Sequence, residues 1–123
     1  MRIISWNCNG AFRNKINSIL SLNGDIYVIQ ETEDPNKNSD LLDKLNDFNF
    51  LWTGINKNKG LLVFSKKNIL INKLKMNIKT EQYFLPVKIN NNFNILACWL
   101  HKDVEDSYYD YIGQFYKFLL NNI

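Results

Sequence analysis

No apolar run in this chain approaches the ~20 residues that a membrane-spanning helix needs, so no membrane partner is expected. No secretory leader is expected either. Arg2 is followed by only two apolar residues before Ser5, too few for a signal core. Cysteine is scarce: Cys8 and Cys98 each lie inside an apolar run, and no C-x-x-C spacing exists. That excludes a thiolate metal site and leaves both thiols as small hydrophobes. These absences together predict a cytoplasmic protein. The chain also lacks internal repeats and low-complexity linkers, and 123 residues hold one domain at most.

What is present suits a packed core. Hydrophobic residues make up 46% and aromatics 14%, which excludes a disordered chain and favours packed sheets. A net charge of +3 is too small to mark a nucleic-acid binder by itself. The charge is uneven, however. Asp and Glu crowd Asp25 to Asp47, and Lys crowds Lys57 to Lys79. Such blocks are either solvated faces or a basic flank beside an anion site. Asn is so frequent that no single Asn carries weight alone.

Arg2 to Cys8 reads as a buried strand, followed by an Asn9-Gly10 turn. Arg13 to Leu22 has helical spacing, with Ile16, Ile19 and Leu20 on one face and Lys15 off it, and Asn23-Gly24 stops it. Asp25 to Glu31 reads as a second strand, buried on both sides. Strand, helix and strand within about 30 residues predict a crossover with parallel strands. Thr32 to Ser39 reads as a polar loop. Asp40 to Phe48 reads as a helix capped by Ser39, with Leu41, Leu42 and Leu45 inward. Five short runs follow, over 50–55, 60–65, 69–76, 83–89 and 93–100, and predict an antiparallel meander. Tyr109 to Leu120 closes as a helix with Ile112, Phe115, Tyr116 and Leu119 on one side. The expected class is α/β: a mixed sheet with helices on one face, the other face wanting cover.

Asn7 and Glu31 each end an apolar run. Paired parallel strands lie ~4.8 Å apart, so both residues would reach one hard cation. Mg²⁺ takes oxygen ligands, keeps several waters and commonly uses one or two carboxylates plus substrate phosphate. Ligands also favour the carboxyl ends of parallel strands. The competing reading is that Glu31 merely ends a strand and Asn7 satisfies a turn.

Ser5-Trp-Asn-Cys-Asn-Gly10 followed by Ile26-Tyr-Val-Ile-Gln-Glu31 resembles the opening of the endonuclease/exonuclease/phosphatase superfamily, the exonuclease III-like and DNase I-like fold. Its W-N-x-N-G and apolar-run-Q-E elements come in this order and separation. Lys59-Gly-Leu-Leu-Val-Phe-Ser65 is similar to the family's G-x-x-V-F-S strand. Asn94 to Trp99, with the helix after it, is similar to the segment preceding the family's G-D-x-N motif. The resemblance implies that Glu31 is a metal-ligand glutamate for Mg²⁺ or Mn²⁺ and that Asn7 is the catalytic asparagine beside the metal. Asn9 would stabilise the loop on the substrate side. His101 would lie near a phosphate-contacting position, although Trp-Leu-His stands here where N-x-H-L is common. The implied activity is metal-dependent phosphodiester hydrolysis, with nucleic acid the substrate toward which the Lys57 to Lys79 stretch leans.

The family's G-D-x-N and S-D-H motifs have no counterpart in this sequence, which contains no Asp-His pair. The water-activating Asp and the protonating His are therefore missing. The resemblance implies that residues 1–123 form a single partial domain, the N-terminal half of a four-layer α/β-β/α sandwich. That half would be inactive alone. Its bare apolar sheet face would favour self-association or a missing C-terminal half. Two alternatives stand beside this: a non-catalytic half-domain acting as a binding or assembly module, and an unrelated small α/β protein.

Overall fold

The computed structural model describes residues 1–76, 83–100 and 112–122. Strand β1 (Ile3–Asn7) pairs in parallel with β2 (Ile26–Thr32), Ile3 opposite Ile26 and Asn7 opposite Gln30. The predicted crossover helix is broken in two. A 3-10 turn, Phe12–Asn14, precedes helix α1 (Ile16–Leu20), because Lys15 between them lies at φ −120°, ψ −13°. Ile16 and Ile19 are buried, as their spacing predicts.

The predicted polar loop contains a second 3-10 turn, Pro35–Lys37. Asp34 accepts a hydrogen bond from the Asn36 amide, and Pro35 supplies a pre-set φ at the first position. Helix α2 spans Ser39–Lys44, and its cap is Asn38, one residue earlier than predicted. The Asn38 side chain accepts from the Leu41 amide at 3.0 Å, so Ser39 is left inside the helix. Leu41 and Leu45 are buried, whereas Leu42 is exposed.

Strands β3 (Phe48–Asn56) and β4 (Lys59–Lys66) form an antiparallel hairpin and join the first sheet in the order β1-β2-β4-β3. Gly60 to Ser65 of β4 are all buried, so both faces of this strand need cover. On one face Leu62 and Phe64 join Tyr27 and Ile29 beneath Phe12, Ile16, Ile19, Leu41 and Leu45. Phe64 stacks on Tyr27, centroids 4.5 Å apart, and meets Phe48 edge-on at 5.2 Å. Each such pair adds about 0.5–1.5 kcal/mol beyond its burial.

On the other face Leu61 and Val63, with Ile26 and Val28, pack against a second sheet. That sheet holds β5 (Ile71–Lys73), β6 (Phe84–Ile89) and β7 (Phe93–Cys98), antiparallel in that order. It contributes Leu85, Val87, Ile89 and Ala97 to the shared core. The five predicted runs therefore do not make one meander. The chain turns after β4, where the Ser65 hydroxyl donates to the Ile69 carbonyl at 2.7 Å and the Asn49 side-chain Nδ2 donates to the same oxygen at 2.8 Å. The last three strands thus fold over the first sheet.

Helix α3 (Ile112–Asn122) packs on the outer face of the second sheet, where Phe118 stacks on Phe84 with centroids 4.2 Å apart. The fold is α/β, and the mixed sheet carries α1 and α2 on one face as expected; α3 lies instead on the second sheet, so the described residues run helix, sheet, sheet, helix. Phe118, not the predicted Ile112, Tyr116 and Leu119, is the buried anchor of α3, because Phe84 presents an aromatic face to it. The apolar sheet face predicted to be bare is covered by the second sheet. The physical reason for expecting self-association across it is met within the chain.

Candidate metal and phosphate site

At the carboxyl ends of β1 and β2 the following loop is sewn to β2 by backbone bonds. The Cys8 amide donates to the Gln30 carbonyl at 3.1 Å, and the Gly10 amide donates to the Glu31 carbonyl at 2.9 Å. The Cys8 thiol reaches that second carbonyl at 3.4 Å. Asn7, Asn9 and Glu31 therefore occupy one corner.

The register alone would not bring the side chains of Asn7 and Glu31 to one face. Asn7 lies opposite Gln30, so strict alternation assigns Glu31 to the other side of the sheet. The alternation breaks at Glu31. Its φ is 61°, and the pairing of β2 with β4 shifts register between Gln30 and Thr32. Asn9 (φ 56°), Gly10 (φ 83°) and Ala11 (φ 50°) are left-handed in succession beside it. Such a conformation costs roughly 1–2 kcal/mol for an ordinary L-residue, and residues held this way cluster at functional sites.

The Asn7 side-chain oxygen accepts from the Asn9 amide at 3.1 Å. That bond assigns the oxygen and leaves it one more lone pair, with the side-chain NH₂ available to donate. Glu31 is half-buried, and its carboxylate has no hydrogen-bond or ion-pair partner among the described residues. The Asn9 side chain is exposed. His101 lies outside the described residues. Even so, Gln30 Nε2 donates to Ser5 Oγ at 3.1 Å and to the Cys98 carbonyl at 3.2 Å, which draws the end of β7 to this corner.

Sequence reasoning missed the charged side chains that hold the corner. Glu33, only 4% exposed, accepts from the Phe12 amide at 2.8 Å, the Thr32 hydroxyl at 3.0 Å and the Arg13 guanidinium at 2.6 Å. Burial pushes its carboxyl up, but the hydrogen bonds from backbone amides, Arg13 and Thr32 outweigh that and hold it below the ordinary 4.5. Lys15 Nζ donates to the carbonyls of Cys8 and Gly10 at 2.6 and 2.8 Å. Lys44 Nζ donates to the Arg13 carbonyl at 2.6 Å. On a sequence these residues look like solvated charges off the apolar faces, and no spacing separates them from ordinary ones.

The Lys57 to Lys79 stretch divides. Lys57 and Lys59 flank the β3–β4 turn, which lies against the end of β2: Gly60 is opposite Thr32, and the Asp34 amide donates to the Lys57 carbonyl at 2.8 Å. Lys66 is at the opposite end of the sheet, ion-paired with Asp25 at 3.1 Å. Lys79 lies outside the described residues.

Among the described residues no group of three or more His, Cys, Asp or Glu side chains converges. Glu31 and Asn7 offer one carboxylate and one amide oxygen. That set fits a weakly held, water-rich Mg²⁺ or Mn²⁺ and not a tightly caged ion. No helix among the described residues is long and apolar enough to cross a membrane. No protein-family model matches the chain, and no curated protein matches it significantly.

Proposed function

We propose that this chain is a nuclease-like phosphodiester-binding domain that uses a divalent cation held by Glu31 and Asn7. The observation that carries this reading is Glu31 itself, a left-handed, half-buried carboxylate without a partner among the described residues, at the same corner of the sheet as Asn7. Glu31 would supply the charged ligand and the remaining lone pair of Asn7 Oδ1 a neutral one. When bound, the cation neutralises charge on phosphoryl oxygens. The side-chain NH₂ groups of Asn7 and Asn9 are donors for those oxygens. Lys57 and Lys59, exposed at the same edge, favour a substrate with flanking phosphates, which is why nucleic acid is the preferred class. The sequence supplies no Asp-His pair to activate water or protonate a leaving group, so binding without turnover is the expected behaviour of the chain by itself.

A non-catalytic binding or assembly module is the second reading. The commitment of Asn7 Oδ1 to the Asn9 amide favours it, because a turn alone explains that bond.

Glu31→Gly separates the readings. Glycine removes the left-handed strain of roughly 1–2 kcal/mol and adds roughly 0.5–1 kcal/mol of unfolded-state entropy. The variant should therefore match or slightly exceed the wild type in thermal stability while losing Mn²⁺ binding, read by paramagnetic resonance. Undiminished Mn²⁺ binding would sink the proposal, and so would failure of the wild type to bind. Robust Mg²⁺-dependent DNA cleavage by the wild type, abolished in Glu31→Ala, would replace binding without turnover by hydrolysis.

A further inference from the structure

We propose that Lys15 is a positioning residue for this corner: its ammonium clasps the Cys8 and Gly10 carbonyls and thereby aims the amide oxygen of Asn7. The inference rests on the cation-binding reading above.

Lys15 has no carboxylate partner among the described residues. Its charge is committed to two backbone oxygens of a single loop, at 2.6 and 2.8 Å. In a trans peptide the carbonyl and the next residue's N–H point in opposite directions. Turning the Cys8 carbonyl toward Lys15 turns the Asn9 N–H away from it, and that N–H is the one Asn7 Oδ1 accepts at 3.1 Å. Turning the Gly10 carbonyl the same way fixes the peptide plane two further along, between the left-handed Gly10 and Ala11. The Gly10 amide in turn holds the Glu31 carbonyl at 2.9 Å. One ammonium thus sets the two peptide planes that flank the Asn9–Gly10 peptide, and so brackets the link from Asn7 to Glu31. It can do so because the helix breaks at Lys15, which lets this residue reach back under the loop.

Electrostatics and positioning predict opposite signs. A lysine near a cation site repels the cation, so deleting its charge alone would tighten binding. Loss of a clasp would loosen the Asn7 amide and weaken binding, by about tenfold to a hundredfold for an outer-shell orienting group.

The experiment measures the Mn²⁺ dissociation constant and the amide hydrogen exchange of the wild type, Lys15→Met and Lys15→Arg. Weaker Mn²⁺ binding in Lys15→Met, faster exchange at Asn9 and Gly10, unchanged exchange at Ile26 to Ile29, and recovery in Lys15→Arg support the proposal. Unchanged or tighter binding in Lys15→Met overturns it while leaving the cation site standing. A wild type that binds no Mn²⁺ removes the cation site itself, and the Lys15 role falls with it. Should Lys15→Met not fold, as the β2 amides would reveal, Lys15→Gln is read against the same outcomes.

Discussion

Glu33→Ala tests whether the loop after β1 is held by charge. The carboxylate accepts from the Phe12 amide, the Thr32 hydroxyl and Arg13. Phe12 is fully buried, so its N–H would lose its acceptor where water does not reach, at a cost of about 1–3 kcal/mol. The Arg13 side chain is 37% exposed and rehydrates, so the lost ion pair contributes under about 1 kcal/mol. The Thr32 hydroxyl already lies 3.3 Å from the Glu33 carbonyl and has that acceptor in reserve. The sum is about 1–4 kcal/mol, or roughly 4–16 °C in Tm for a chain of this size. Urea denaturation measures it directly. Glu33→Gln keeps an acceptor for Phe12 but not the charge, and should lose about half as much. The folded pKa of Glu33 lies below its ordinary 4.5, so its ionisation stabilises the fold fully above that value. The contribution disappears as pH falls through the lower, folded pKa. The stability gap between wild type and Glu33→Gln should therefore close in acid. A loss below about 1 kcal/mol for Glu33→Ala, or a gap that widens in acid, would refute the reasoning.

Other outcomes follow from packing and burial. Gly60→Ala should destabilise by about 1–3 kcal/mol in thermal melts, because its Cβ would meet the Thr53 carbonyl and the Trp52 ring inside the sheet. Phe118→Ala should cost about 3 kcal/mol through the lost stack on Phe84, and exchange in α3 should rise before that in β2. Buried Cys8 should resist a disulfide reagent at pH 8 until the chain unfolds, and half-buried Cys98 should react more slowly than a free thiol. Burial pushes the Cys98 thiol up to about 11, and burial also raises buried Cys8.

The elements were legible where one periodicity dominated. The apolar runs of β1 and β2 and the buried Ile16 and Ile19 follow from local pattern. The two-sheet arrangement was not legible, because a strand buried on both faces does not say what covers it. Leu61 and Val63 face a sheet and Leu62 and Phe64 face helices, yet all four read as one apolar run. The buried face of α3 was missed for a related reason. A stripe of Ile112, Phe115, Tyr116 and Leu119 scores well as periodicity, but the choice among faces was made by Phe84, distant in sequence. At the corner, Asn7 and Glu31 were visible as strand ends. The left-handed backbone that breaks the alternation at Glu31 was not, since glutamate carries no preference for it. The clasp by Lys15 reaches backbone carbonyls five and seven residues back, and the knot at Glu33 ties it to Phe12 and Arg13 about twenty residues away, so neither follows from a repeating apolar pattern.

Under the proposed function, the strained backbone of this corner has a use that joining β1 to α1 does not give it. A loop selected only to join β1 to α1 would place glycine at its left-handed positions, as Gly10 does. Asn9 tolerates the conformation through its short polar side chain, but Ala11 and Glu31 do not. Three charged side chains, Lys15, Glu33 and Lys44, hold this segment in place. Strain maintained by such surroundings marks an over-determined backbone, and two causes can over-determine it. Packing is one, and it would be expected to engage the strained side chain. The Glu31 carboxylate, half-buried and without a partner among the described residues, is not so engaged. What remains is a carboxylate held in a costly conformation at the same corner as an oriented amide, which is what the proposed hard-cation site would require.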